Sequence, residues 1–369
     1  MFTERTFILV FSNLLLVALL YYALKPATKG HFQSKKLVWI FPLIIVFCLF
    51  SFWGPDWFHY KETYEMLKFN ELLNSNSEPI YRELIAWAPN YLIYRFSIWG
   101  VAAIITFIAF RVLKLDMGLA TFYFVICSLI WFSYGRVSLA FALSTLGFSI
   151  IVSGTHKFIS VPLGVFFIIL SLTFHKSAIF MVLIIFLTLI LAKSPKGVFN
   201  ILLYLFPVFA ILMPLFLGNF MSVIVSDESD FIQTVEYGQR YLSGEQTGMH
   251  FGSLGQIPSK ILEWLPKYFV AFICFKIIKN DKSEVPKTML YFCVLCFLII
   301  YTSSFFILDL GYSTNVIFSR FQRFAILPVV VVMTYLVSTD KYSAITRKAQ
   351  ILFVCSTFYT LMYQAFCCI

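Results

Sequence analysis

From Val137 to Lys196 the chain reads VSLAFALSTLGFSIIVS-GTHK-FISVPLGVFFIILSLTF-HKS-AIFMVLIIFLTLILA-KSPK. Three apolar stretches, 137–153, 158–174 and 178–192, are separated by connections with room only for tight turns. Each approaches the length needed to cross a bilayer. The segment therefore specifies helices that pass back and forth through a membrane, some of them short enough to be tilted, packed or partly re-entrant.

The same pattern extends in both directions from Phe7 to the end of the chain, giving about twelve spans. They fall near 7–24, 37–53, 92–110, 118–134, 137–153, 158–174, 178–192, 198–217, 263–279, 288–306, 324–338 and 350–366. Short basic loops follow every odd-numbered span: Lys25–Lys36, Arg111–Asp116, Gly154–Lys157, Lys193–Lys196, Lys276–Lys287 and Asp340–Lys348. They carry 16 of the 28 Lys and Arg residues and only four of the 18 acids, Asp116, Asp281, Glu284 and Asp340. Positively charged loops stay in the cytoplasm, so both termini and the long loops are expected on the opposite side, together with any chemistry. The fold class is all-α: a polytopic integral membrane protein, one domain over residues 1–369.

Composition agrees. Mean hydropathy is +0.86 and charged residues make up 12%, which excludes a soluble globular domain. The first apolar stretch, Phe7–Leu24, has only Arg5 before it and no small-residue cleavage pattern, so it is expected to be a retained span. The net charge of +10 reflects the basic loops and does not indicate a nucleic-acid partner. All eight cysteines (48, 127, 274, 293, 296, 355, 367 and 368) fall in apolar segments, where they act as small hydrophobes. Cys293 and Cys296 have CxxC spacing without a second pair or a nearby His, and the five His residues are scattered. No metal is expected.

Two outer loops are long. In the first, about 54–91, Tyr60, Tyr64 and Leu67 recur at helical spacing, as do Met66, Phe69 and Leu73, and Lys61 can meet Glu65. An amphipathic helix at the membrane surface is expected, ringed by Trp53, Trp57, Trp87, Tyr91 and Tyr94 as an interfacial belt. The second loop, about 218–262, opens on Asp227-Glu-Ser-Asp230 and places five glycines between Gly238 and Gly255. It is either a mobile functional lid or a solvated linker.

Polar residues stand where outer turns meet helices. Arg136 lies in Tyr134-Gly-Arg136, followed by the small residues Ser138, Ala140, Ala142 and Ser144. A cation beside a tightly packed helix needs an anion or a cavity, unless it snorkels to the interface. His175 and Lys176 form a similar pair, with His175 suited to phosphate binding or proton transfer or to a structural hydrogen bond. Arg320 and Arg323 are one helical turn apart, a spacing suited to a diphosphate or to anchoring a helix end. Arg240, followed by Tyr241, is a further cation. Carboxylates are expected on the same outer side at Asp56, Glu62, Glu78 and Glu83, and Pro79 is expected to hold Glu78-Pro-Ile-Tyr81 extended. Convergent arginines suit a diphosphate, while aromatic faces and carboxylates suit sugars.

At these positions the chain resembles the EpsG-like branch of the Wzy-type bacterial polysaccharide polymerases. Asp56 to Tyr60 is similar to the family's Asp-Tyr-x-x-Tyr region, with Trp57 in place of the first Tyr, and Glu78-Pro-Ile-Tyr81 to its Glu-Pro-x-Tyr element. Tyr134-Gly-Arg-Val-Ser-Leu-Ala140 is similar to its arginine-led motif, with Val137 where a polar residue is common. Phe174-His-Lys-Ser-Ala178 is similar to its Phe-His-x-Ser-Ala. The likeness is plain over about residues 50–190.

The resemblance implies a glycosyltransferase with a GT-C-like bundle in the bacterial plasma membrane. It would join polyprenyl-diphosphate-linked oligosaccharide repeats of an O-antigen, capsule or exopolysaccharide on the outer face. Arg136, Arg240, Arg320 and Arg323 would hold the donor diphosphate. Asp56, Glu78 and His175 would be the catalytic groups. Tyr60, Tyr81, Tyr241 and Lys176 would contact substrate. No cofactor or metal is expected. The partners would be the lipid-linked oligosaccharide, the bilayer, and a flippase and chain-length regulator of the same pathway. A flippase for the same lipid-linked sugars is the main alternative. It would place charges deep along a pathway, whereas ionisable groups here sit mainly at span ends, with Arg95 and Lys267 slightly inside. A metal-dependent lipid-sugar transferase would want adjacent acids in the first loop, and an acyltransferase would want its polar motifs on the cytoplasmic face.

Overall fold

The computed structural model describes residues 57–69, 79–132, 137–175, 178–195, 256–280 and 286–305 as continuous stretches. It also describes 197–202, 328–336 and positions 204–205, 208, 326, 348, 351–353 and 355–356. Among these residues every regular element is helical and no strand occurs. The expected spans at 7–24 and 37–53 lie outside the described residues, as does the second long loop up to residue 255.

Two short helices, α1 (Trp57–Phe69) and α2 (Pro79–Trp87), precede the first described span. That span, α3, runs over Tyr91–Val112. It is followed by α4 (Met117–Phe132), α5 (Val137–Ser153), α6 (Lys157–Phe174) and α7 (Ala178–Lys193). After the second loop come α8 (Gln256–Asn280) and α9 (Lys287–Phe305). By length and composition α3 and α6 can each cross a membrane; Val137–Ser153, Met181–Lys193 and Lys287–Cys296 are shorter apolar helices. Helix α8 starts seven residues before its expected span, because Gln256 to Leu262 wind into the helix ahead of the apolar run.

Position 79 brings a correction. Pro79 begins α2, so Ile80 and Tyr81 are helical and not extended. A proline in the first turn loses no intrahelical hydrogen bond, and its fixed φ suits a helix start. Its restriction on the preceding residue was the wrong guide to the residues after it.

The chain divides into two compact units, Met1–Ile185 with Val329–Ile369, and Phe186–Pro328. In the first unit α5 is the central helix. It is buried on nearly every side, with α6 and α3 packed along it. The α5–α6 crossing is close because both helices present glycine there. A Cβ on Gly147 would fall on the Gly164 carbonyl oxygen, and one on Gly164 would come within 2.6 Å of the Gly147 oxygen. Close backbone approach through small residues is how helices pack where lipid gives no hydrophobic drive. Ser144 Oγ meets Ser171 Oγ across the same interface at 2.8 Å.

The turns at the basic end are well formed. Lys114 closes α3 in the left-handed region, φ 57°. Its N–H donates to Arg111 O at 3.0 Å and that of Leu115 to Phe110 O at 3.2 Å, the paired bonds of a Schellman cap. Asp116 then caps α4 by accepting from Leu119 N–H at 3.0 Å. Lys157 Nζ donates to Ile151 O at 2.8 Å, covering the end of α5. Tyr335 reaches from the later part of the unit to donate to Leu113 O at 3.2 Å.

In the second unit α8 packs on α9. Cys274, Cys293 and Cys296 are buried free thiols on these helices, as expected of small hydrophobes. The Phe199 ring meets Tyr291 edge-on at 4.4 Å. Lys267 is buried directly after Pro266.

Candidate active site

The α5–α6 hairpin decides what stands at the end away from the basic turns. Its two helices are of similar length and are joined by the tight Gly154–His156 connection. Val137, which opens α5, and Phe174, which closes α6, are therefore at the same end. His175 follows Phe174 as the cap of α6 with extended backbone, φ −159° and ψ 125°. Its N–H donates to Ser171 O at 3.3 Å and its carbonyl accepts from Ala178 N–H at 2.9 Å. The imidazole thus hangs from a backbone fixed on both sides, and the residue is half-buried.

Helix α2 arrives at this end. Tyr81 is 0% exposed, and its ring meets Phe174 edge-on, centroids 6.2 Å apart at 78°. Edge-to-face contact is a favoured aromatic geometry. The Glu-Pro-x-Tyr helix and the Phe-His-x-Ser-Ala turn, about 90 residues apart in sequence, therefore touch through one aromatic pair, next to His175.

Helix α1 fastens α2 in place. Lys68 Nζ donates to the carbonyls of Ala86 (2.7 Å), Ala88 (3.0 Å) and Ile85 (3.4 Å). A cation on the last carbonyls of a helix satisfies otherwise orphaned acceptors and complements the helix dipole. Tyr64 is buried and donates to Ala88 O at 2.9 Å. Burial holds its phenol above the usual range, so it stays a protonated donor. The Tyr64 ring also lies 5.6 Å from Tyr91 and 5.4 Å from Tyr94. Lys61 and Glu65 make the expected pair at 3.8 Å, which contributes little at this exposure. Asn90 then opens α3 by accepting from Ile93 N–H at 3.0 Å.

Of the residues singled out from sequence, the fold places Tyr81 against Phe174, the residue that precedes His175. Tyr60 lies on α1, and its side chain is outside the described residues. Asp56, Glu78, Arg136, Lys176, Arg240, Tyr241, Arg320 and Arg323 also lie outside them. The structure adds Arg95, which is 3% exposed on α3 with its guanidinium carbon 5.1 Å from the centre of the Trp99 ring. The signal was present as Arg95 and Trp99 four residues apart in an apolar span.

The model of the EpsG family matches residues 35–368. The chain belongs to the EpsG family. The match covers nearly the whole sequence, well beyond the 50–190 stretch where the short motifs are plainest. No match was found among curated proteins or among solved structures. EpsG membership, with the apolar helices, supports a membrane protein of polysaccharide biosynthesis.

Proposed function

We propose that this EpsG-family chain is a polysaccharide polymerase that joins polyprenyl-diphosphate-linked oligosaccharide repeats on the outer face of the bacterial plasma membrane. The observation that carries the reading is the Tyr81–Phe174 contact. It gathers two of the family-like motifs beside a half-buried histidine, at the end of the bundle opposite the basic turns. The charge pattern of the loops assigns that end to the outer face.

In the proposed reaction an acceptor sugar hydroxyl attacks the anomeric carbon of the donor chain. The bond from that carbon to the diphosphate oxygen breaks, and polyprenyl diphosphate leaves with the electron pair. Asp56 or Glu78 takes the hydroxyl proton, with His175 handling a proton or contacting phosphate. Arg136, Arg240, Arg320 and Arg323 stabilise the charge that grows on the leaving diphosphate. That role needs no divalent metal. Tyr60, Tyr241 and Lys176 orient the glycan and its phosphates, while Tyr81, expected from sequence to touch substrate, is fully buried against Phe174 and instead holds α2 beside His175.

The test is purified protein given one synthetic lipid-linked repeat without divalent metal, with product length read on a gel. A ladder that persists with chelator and is lost in Arg136→Ala is expected. Movement of the lipid-linked sugar across liposomes without a ladder would replace this reading with the flippase.

A further inference from the structure

We infer that Arg95 is a further diphosphate-binding cation of this site, held in position by Trp99. The inference rests on the polymerase reading above and adds a residue to it. Arg95 is the fifth residue of α3, about 6 Å below the helix start at 1.5 Å per residue. A guanidinium buried that far inside a membrane-spanning helix is costly, and such residues mark substrate sites by default. Two features show that its placement is built. The guanidinium carbon lies over the Trp99 ring, 5.1 Å from its centre, which favours the cation, and the planar guanidinium carries the fork of N–H donors that matches phosphate oxygens.

The second feature is the backbone between them. Residues Phe96–Gly100 form a π turn, in which Val101 N–H donates to Phe96 O as well as to Ile98 O. One extra residue is thereby accommodated in the helix, and π turns of this kind recur at functional sites. This turn packs against α5, the helix that begins at Val137, directly after Arg136. The neighbouring Tyr94 touches Tyr64, and Tyr64 donates to Ala88 at the end of α2. Seven residues back along α2, about 10 Å, stands Tyr81 against Phe174. Contacts from Tyr94, the residue before Arg95, through Tyr64 and α2 thus lead to the end of the bundle that carries His175.

The ligand class is the diphosphate of the polyprenyl donor, and farnesyl diphosphate is a short probe for it. The experiment uses the full chain in detergent, with binding of farnesyl diphosphate and farnesyl monophosphate measured by calorimetry. In Arg95→Met, diphosphate affinity is expected to fall by about 30-fold or more, the scale for truncating one partner of a buried charge pair. Arg95→Lys should recover part of it, since it keeps the charge and loses the fork. Arg111→Met, at the exposed far end of the same helix, should bind as wild type. Equal diphosphate binding by wild type and Arg95→Met overturns the assignment.

If Arg95→Met does not fold, hydrogen exchange on the wild type decides. Slower exchange over 91–101 with farnesyl diphosphate supports the inference, and unchanged exchange there overturns it. Wild-type protein that binds no farnesyl diphosphate overturns the polymerase reading and Arg95 with it. Wild type that binds while Arg95→Met binds equally overturns Arg95 alone.

Discussion

The α5–α6 hairpin and the α1–α2 pair meet at Tyr81 and Phe174, yet they are held by different forces. In the hairpin, two glycines bring backbones into contact and the helices are joined along their length by apolar packing. In the outer pair, one lysine and one tyrosine fasten a nine-residue helix by its terminal carbonyls. A backbone contact has no softer alternative geometry, whereas separate side-chain hydrogen bonds can break one at a time, the exposed Lys68–Ala86 bond exchanging with water at small net cost. The hairpin is therefore a frame that fixes His175, and the outer pair is a latch that can yield while the frame stands.

The sharpest way to break this contrast is Gly147→Val. Its side chain would land on the Gly164 carbonyl, which belongs to backbone and cannot swing aside. A loss of about 3 kcal/mol is expected, the upper end of what overpacking costs, read as a fall in thermal midpoint or failure to accumulate in membranes. Gly197→Ala, where nothing lies within 4 Å, should leave the midpoint unchanged. A Gly147→Val protein as stable as wild type would mean that the hairpin is not a frame.

Lys68→Met tests the latch. It removes a charge-assisted donor from three carbonyls, two of them in short bonds, with a cost of about 2 kcal/mol confined to the outer pair. Hydrogen exchange should quicken in α2 while α5 and α6 keep wild-type protection. Equal quickening in all of them would merge the two regions into one cooperative unit.

Alkaline pH tests the same latch more gently. Burial raises the Tyr64 phenol above its usual 10.0. The native state therefore holds this proton more tightly than the unfolded chain. The contribution is complete below pH 10 and is lost as pH rises through the raised value. Relative to the base-catalysed intrinsic exchange rate, protection of α2 should fall over that range in wild type and not in Tyr64→Phe, which lacks the phenol and starts about 1 kcal/mol weaker at that contact.

The frame was more legible in the sequence than the latch. Apolar run lengths placed α5 at its observed bounds and α6 and α7 within a residue, because a membrane span is set by length and hydropathy alone. The α1 periodicity and the Lys61–Glu65 pair were legible for the same local reason. Lys68 was not, since its partners are carbonyls about 17–20 residues away and backbone acceptors leave no mark in a sequence. Pro79 misled because proline restricts the residue before it and also starts helices. In the candidate site, motif order named Tyr81 and His175, but only the fold showed that Tyr81 packs on Phe174, the residue before His175. Arg95 lacked a motif; its position in an apolar span and the spacing to Trp99 were legible, but its near-complete burial was visible only in the fold.

The smallest expected effect concerns the hydroxyls within the hairpin. Ser144 Oγ lies 2.8 Å from Ser171 Oγ and 2.9 Å from Ala140 O, while Ser171 Oγ donates to Ile168 O at 2.6 Å. The single Ser144 proton can serve only one of its two acceptors at a time. Either alternative leaves Ser171 with a partner on its own helix, so Ser144→Ala orphans nothing. A cost of about 0.6 kcal/mol is expected, the average for hydrogen bonds between membrane helices, with a coupling to Ser171→Ala no larger in a double-mutant cycle. If Ser144→Ala instead approached the loss expected of Gly147→Val, hydroxyls rather than backbone contact would be holding the frame, and its distinction from the latch would disappear.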